Sequence, residues 1–200
     1  MRVLLAEDMQ LLRGSLASLL RQEVDIEVVA ELERGDEIVP TALRTEPDLA
    51  LIDIGLPGMD GITAAAQLHE RLPSCRSLIL TSLGQPGNIR RALEAHATGF
   101  LLKDTPPDQL ILAIHKVANG ERVIDSELAA AALESAPTPF TPREAEVLRH
   151  AAEGVQPQEI AARLHLELST VRNHLSRAVT KSAARNRVDA IRIALHEGWI

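Results

Sequence analysis

The chain has 200 residues, is 46% hydrophobic and 24% charged, and carries a formal net charge of −7 at neutral pH. These are ordinary values for one large or two modest folded domains, which excludes disorder as the main theme, and no uncharged apolar run approaches the roughly 18 residues of a membrane span. A single cysteine, Cys75, excludes an internal disulfide and a thiolate zinc cage, and only three aromatic residues, Phe100, Phe140 and Trp199, argue against a base-stacking platform for single-stranded nucleic acid.

The apolar stretch before Glu7-Asp8 is too short for a signal peptide, so a cytoplasmic location without a membrane partner is expected. Short, nearly continuous apolar runs at 2–6, 26–30, 49–53, 78–81 and 99–102 predict strands covered on both faces. Amphipathic stretches at 11–23, 36–45, 61–71, 88–96 and 107–119 predict the helices between and after them. Turn residues mark the joins at Pro47-Asp48, Pro57-Gly58, Pro73-Ser74 and Gly84-Gln85-Pro86-Gly87. Five βα repeats over residues 1–120 predict an α/β domain with a doubly wound, five-stranded parallel sheet of the flavodoxin-like kind, and ligands at the carboxyl ends of its strands.

The pattern then changes. Residues 121–140 read as a linker with a short Ala-rich helix at 126–133, followed by Ser135-Ala136-Pro137-Thr138-Pro139, where two prolines cannot continue a helix. From 141 to 200 no strand is visible. Thr141-Pro142-Arg143-Glu144 is a helix start with an N-cap threonine and a glutamate three residues on, and that helix stops at Gly154. Further helices are predicted at 157–164, 169–181 and 188–197, the material of a small all-α helix-turn-helix domain. Charge divides the same way: residues 1–140 carry 12 Lys/Arg against 21 Asp/Glu, whereas 141–200 carry nine against seven and four of the seven histidines. Such asymmetry points to different partners for the two parts.

Placed on the predicted sheet, the polar residues converge. Glu7 and Asp8 follow the first strand, Asp53 ends the third, Thr81 ends the fourth and Lys103 follows the fifth. Three carboxylates in one cleft repel one another unless a cation joins them, and Mg²⁺, a hard ion that takes oxygen ligands, suits them. Lys103 and Thr81 remain to hold an anion's oxygens, an arrangement suited to phosphoryl transfer onto a strand-end aspartate. The bland alternatives are that each acid is a cap or turn residue, that Lys103 is a solvated loop lysine, and that Phe100 is only core.

Residues 1–120 resemble the receiver domain of two-component response regulators. The resemblance is carried by Glu7-Asp8, by Asp53 followed by Pro57-Gly58-Met59-Asp60-Gly61, by Leu80-Thr81, and by Gly99-Phe100-Leu101-Leu102-Lys103-Asp104. It implies that Asp53 accepts a phosphoryl group from a sensor histidine kinase. It also implies that Glu7, Asp8, Asp53 and the Gly55 backbone carbonyl hold Mg²⁺, and that Thr81 and Phe100 form a switch pair. Glu144, Val147-Leu148, Gly154, Glu159-Ile160-Ala161, Thr170-Val171-Arg172-Asn173-His174-Leu175, Lys181 and Asn186-Arg187 are similar to the LuxR-type helix-turn-helix. Joined to a receiver, this resembles the NarL/FixJ class of transcription regulators, most of all its DesR-type branch.

For that second domain, Ser169 or Thr170 is expected to start the recognition helix beside a phosphate. Arg172, Asn173 and Ser176 are spaced to face the major groove, where arginine suits guanine and asparagine suits adenine. Arg177, Lys181, Arg187 and His174 are phosphate candidates, which position the protein without specifying sequence. Alternatively, these residues form a plain solvated face. Three residues depart from the family pattern: Glu167 before the recognition helix, Pro157 in a first turn, and Ser182 where an apolar residue is usual. The expected whole is a regulator that dimerises on phosphorylation, binds double-stranded promoter DNA and has RNA polymerase as a further partner. Two rival readings are an adaptor whose altered C-terminal domain binds protein, and an aspartyl-phosphate phosphatase. The second lacks the general acid such enzymes carry two residues after the nucleophile, where Gly55 stands.

Overall fold

The computed structural model describes residues 1–82, 86–124 and 138–200. They form two compact units, each taken by itself. The helix expected at 126–133 lies outside the described residues.

The first unit alternates strands and helices: β1 (Arg2–Ala6), α1 (Gln10–Leu20), β2 (Glu27–Leu32), α2 (Ile38–Thr45) after one 3₁₀ turn, β3 (Leu49–Asp53), α3 (Gly61–Arg71), β4 (Arg76–Thr81), α4 (Pro86–Glu94), β5 (Gly99–Leu102), α5 (Pro107–Ala118) and β6 (Val123–Ile124). All pairings are parallel, in the order β2-β1-β3-β4-β5-β6. The apolar runs are the central strands, and β3 is buried along its whole length. On one face Val3, Leu5, Leu49, Leu51, Leu78 and Leu80 pack against Leu16, Ala17 and Leu20 of α1 and Leu110, Ile114 and Val117 of α5. Residues of opposite parity, among them Leu4, Ile52, Ile79 and Phe100, are fully buried on the other face, where α2 and α3 lie on the sheet. Each fully buried leucine or isoleucine contributes about 1.5–3 kcal/mol, so this double-sided cover is what holds the strand ends in place.

The sheet has six strands, not the five expected. Val123 pairs with Gly99 and Ile124 with Phe100, so the added edge strand falls in the stretch read as linker. Two residues are too few for a hydrophobic period to show. Two other strands run longer than expected: β2 continues to Leu32 because it stays paired with Ala6, and β4 starts at Arg76 because Arg76 and Ser77 pair with Leu49 and Ala50 despite being polar.

The second unit holds four helices, α6 (Pro142–Ala152), α7 (Pro157–Arg163), α8 (Leu168–Lys181) and α9 (Arg187–His196). Val147, Leu148, Ile160, Val171, Leu175, Ala178 and Ala194 form its core, with Phe140 edge-on to Trp199. Among the described residues no helix is long and apolar enough to cross a membrane.

Candidate functional site

Chain order reverses between β1 and β3, which leaves a crevice at the carboxyl ends of these neighbouring strands. Glu7 and Asp8 follow β1 there, and Asp53 closes β3. One carboxylate oxygen from each lies within 4.8 Å of the others; Glu7 and Asp53 are buried and Asp8 is exposed. Lys103 reaches in from the end of β5, with its Nζ 2.8 Å from Glu7 Oε2 and 3.0 Å from Asp53 Oδ1. Its backbone N–H donates to the Thr81 carbonyl at 2.8 Å, so the lysine is fixed to β4 as well.

The electrostatics are lopsided, with three carboxylates facing one ammonium. Burial pushes the Glu7 carboxyl above its ordinary value, and Asp53 adds to this, against the opposing hydrogen bond from Lys103. Burial alone would lower Lys103, but its hydrogen bonds to Glu7 and Asp53 outweigh that and hold the ammonium charged. Glu7 Oε2 is buried and receives no hydrogen bond of acceptable geometry despite the nearby ammonium. An under-satisfied buried oxygen, a second buried carboxylate and a third open to solvent fit a hard divalent cation that keeps part of its water.

Two glycines make room for this loop. A Cβ on Gly61 would stand 1.9 Å from the Asp53 carbonyl, so α3 can start against β3 only without a side chain. Gly58 has a φ of +81° and packs on the Arg34–Asp36 ion pair. Gly55 faces the site, since a Cβ there would lie 3.5 Å from Asp53 Oδ2. Thr81 and Phe100 are both buried on one sheet face, because Phe100 pairs with Ile79 and alternate residues share a face.

Sequence reasoning missed two supports. Asp60 caps α3 through the Thr63 N–H and also pairs with Arg91 of α4 at 2.9 Å. Arg13 of α1 is buried and donates to the Glu7 carbonyl at 2.7 Å. Cys75 is a buried thiol pushed up to about 12 by burial and by Asp48, which leaves it unreactive.

In the helical unit, Val171, Leu175 and Ala178 of α8 face the core. Ser169, Arg172, Asn173, Ser176 and Arg177 are exposed. At 3.6 residues per turn these five share an arc of about 140° opposite the core. Helix α8 starts at Leu168, with Glu167 as its N-cap and no side-chain cap bond, so Ser169 and half-buried Thr170 sit inside the first turn and do not start it. Arg143 donates to the Leu164 carbonyl at 2.6 Å and so braces the turn into α8.

The other two phosphate candidates of this helix lie outside that arc. His174 is half-buried, with a buried Nδ1 that has no hydrogen-bond partner among the described residues. Lys181 places its ammonium 2.6 Å from Glu144 of α6. Arg187 is exposed at the start of α9, beside Arg185 and Arg192, whose guanidiniums are bound to Asp189. Ser182 is buried, but its hydroxyl donates to the Ala178 carbonyl at 2.7 Å, so no polar group is stranded. Pro157 occupies the first turn of α7, where proline is tolerated.

Glu144 closes a capping box with Thr141 and accepts from Lys181. Burial pushes its carboxyl up, but the hydrogen bonds from Lys181 and the Thr141 N–H more than offset this and hold it below the ordinary 4.5. A carboxylate so held contributes stability above that value and loses it as pH falls through the lower, folded value. Glu144→Ala is therefore expected to cost about 2–3 kcal/mol at neutral pH, measured by urea unfolding, and to flatten the acid limb of the helical unit's stability.

Known proteins share both units. Residues 3–115 match the response regulator receiver domain, and residues 138–194 match the bacterial regulatory proteins of the luxR family. The transcriptional regulatory protein DesR of Bacillus subtilis (strain 168) is 40% identical over 197 residues, which cover 98% of each chain. The response regulator RamR of Streptomyces coelicolor is 39% identical over 199 residues, covering 99% of this chain and 97% of that one. The crystal structure of response regulator ChrA of a heme-sensing two-component system aligns with a TM-score of 0.57 and 33% identity over 100% of this chain and 98% of that one. The chain thus belongs to the two-component response regulators that join a receiver domain to a LuxR-family DNA-binding domain, and is a transcriptional regulator of that kind.

Proposed function

We propose that Asp53 is the phosphoacceptor of a switch that controls DNA binding. Three carboxylates within 4.8 Å, crossed by one lysine, carry this reading. Glu7, Asp8, Asp53 and the Gly55 carbonyl would hold Mg²⁺, which when bound supplies positive charge against the phosphoryl oxygens. Asp53 Oδ attacks the phosphorus of a sensor histidine kinase phosphohistidine; the P–N bond breaks, a P–O bond forms and the imidazole leaves. Lys103 and the Thr81 hydroxyl take the phosphoryl oxygens, and the buried Phe100 ring follows Thr81 on its shared sheet face.

Residues 1–120 with the edge strand form the receiver, the rest of 121–140 the linker and 141–200 the DNA-binding domain. Arg172, Asn173 and Ser176 read base edges in the major groove, while Ser169, Arg177 and Arg187 hold phosphates. A phosphorylated homodimer sets two such units on half-sites about 34 Å apart in promoter DNA, in the cytoplasm and within reach of RNA polymerase.

The first test is chemical: the full chain with a small acyl phosphate and Mg²⁺. One equivalent of hydroxylamine-labile phosphate on Asp53 is expected. Rapid turnover of many equivalents would favour the phosphatase instead.

A further inference from the structure

Arg13 lies on the buried side of α1 with Leu16, Ala17 and Leu20, an arginine in a row of core positions. Its guanidinium has two unlike partners: Nη1 donates to the Glu7 carbonyl at 2.7 Å and Nη2 to Glu33 Oε1 at 2.5 Å. The carbonyl it holds belongs to the peptide that joins Glu7 to Asp8, so the orientation of that peptide directs both carboxylates. This segment is also tied by the Glu7 N–H to the Leu32 carbonyl at 3.0 Å, by the Met9 N–H to Glu7 Oε1 at 3.2 Å and by the Arg13 N–H to the Met9 carbonyl at 2.9 Å, while Lys103 holds the Glu7 carboxylate itself at 2.8 Å. The α1 N-cap, Met9, makes no side-chain cap bond, so capping does not fix the turn.

We propose that Arg13 is a positioning residue for the acidic pocket. It clamps the Glu7–Asp8 peptide so that both carboxylates are presented to the divalent cation, and Glu33 neutralises the clamp so that it does not repel the ion. The inference rests on the Mg²⁺ reading of that pocket. Two effects of opposite sign make it testable. A guanidinium beside a cation site weakens binding by repulsion, whereas fixing the ligands strengthens it.

The experiment is calorimetric titration of the full chain with MgCl₂ in wild type, Arg13→Met, Arg13→Lys and Glu33→Gln, beside urea unfolding of each without Mg²⁺. Arg13→Met is expected to weaken Mg²⁺ binding about tenfold although a positive charge has gone, and Arg13→Lys to recover part of the loss. Glu33 is largely exposed, so Glu33→Gln spares the core and serves where Arg13→Met fails to fold. It is expected to weaken binding about two- to fivefold by leaving Arg13 uncompensated. A merely structural arginine would lower the Mg²⁺-free stability and leave the affinity unmoved. Equal or tighter Mg²⁺ binding in Arg13→Met, or in Glu33→Gln where the former does not fold, overturns the clamp alone. A wild type that takes up no Mg²⁺ overturns the metal reading and the clamp with it.

Discussion

Asp53→Asn is expected to reduce phosphoryl incorporation to background and to remove every donor-dependent change in DNA binding. An amide of the same shape has no nucleophilic oxygen to offer phosphorus and contributes no charge to a cation. The loss would not be one of folding. Asp53 raises the cost of ionising Glu7, so removing its charge relieves repulsion, and Lys103 retains Glu7 as a partner. The Mg²⁺-free variant is therefore expected to unfold at or above the urea midpoint of wild type. Phosphate gels after treatment with an acyl phosphate, with urea melts on the same samples, check both halves. Retained hydroxylamine-labile phosphate in the variant would move the acceptor to another residue.

The second large effect is expected on α8. Arg172→Ala and Asn173→Ala should each weaken binding to the cognate operator by about 1–3 kcal/mol and relax discrimination at one base position, with little change on random DNA. Arg177→Ala should instead weaken binding to all sequences alike and lower the salt slope by about one. All three side chains are exposed and none belongs to the core, so stability should not move. Fluorescence anisotropy over a salt series separates the two behaviours. An unchanged ratio of operator to random affinity in Arg172→Ala would take this face out of the major groove.

Much of this was legible in the sequence because the signals were long or repeated. The central strands announced themselves as unbroken apolar runs, and parallel topology then brought Glu7, Asp8, Asp53, Thr81 and Lys103 to one edge. Thr141 and Glu144 spelled out a capping box that the structure closes. What escaped was local or relational. Val123–Ile124 is too short to carry a period, and its strand character comes from pairing with β5. Arg13 did carry a signal, since it stands three, four and seven residues before Leu16, Ala17 and Leu20, but its partners lie outside its own helix. Lys181 looked like any basic residue at the end of a recognition helix, and only the fold shows that Glu144 binds it. Ser182 stands where an apolar residue is usual, and the sequence does not show that a helix-end carbonyl takes its hydroxyl.

The measurement that tests the switch most directly is a titration of the full chain against DNA from upstream of its own gene, with Mg²⁺, in the presence and absence of a phosphoryl mimic, beside Asp53→Asn. Tighter, salt-sensitive binding with the mimic in wild type and none of that gain in the variant is expected. Identical binding in all four conditions would contradict a switch at Asp53.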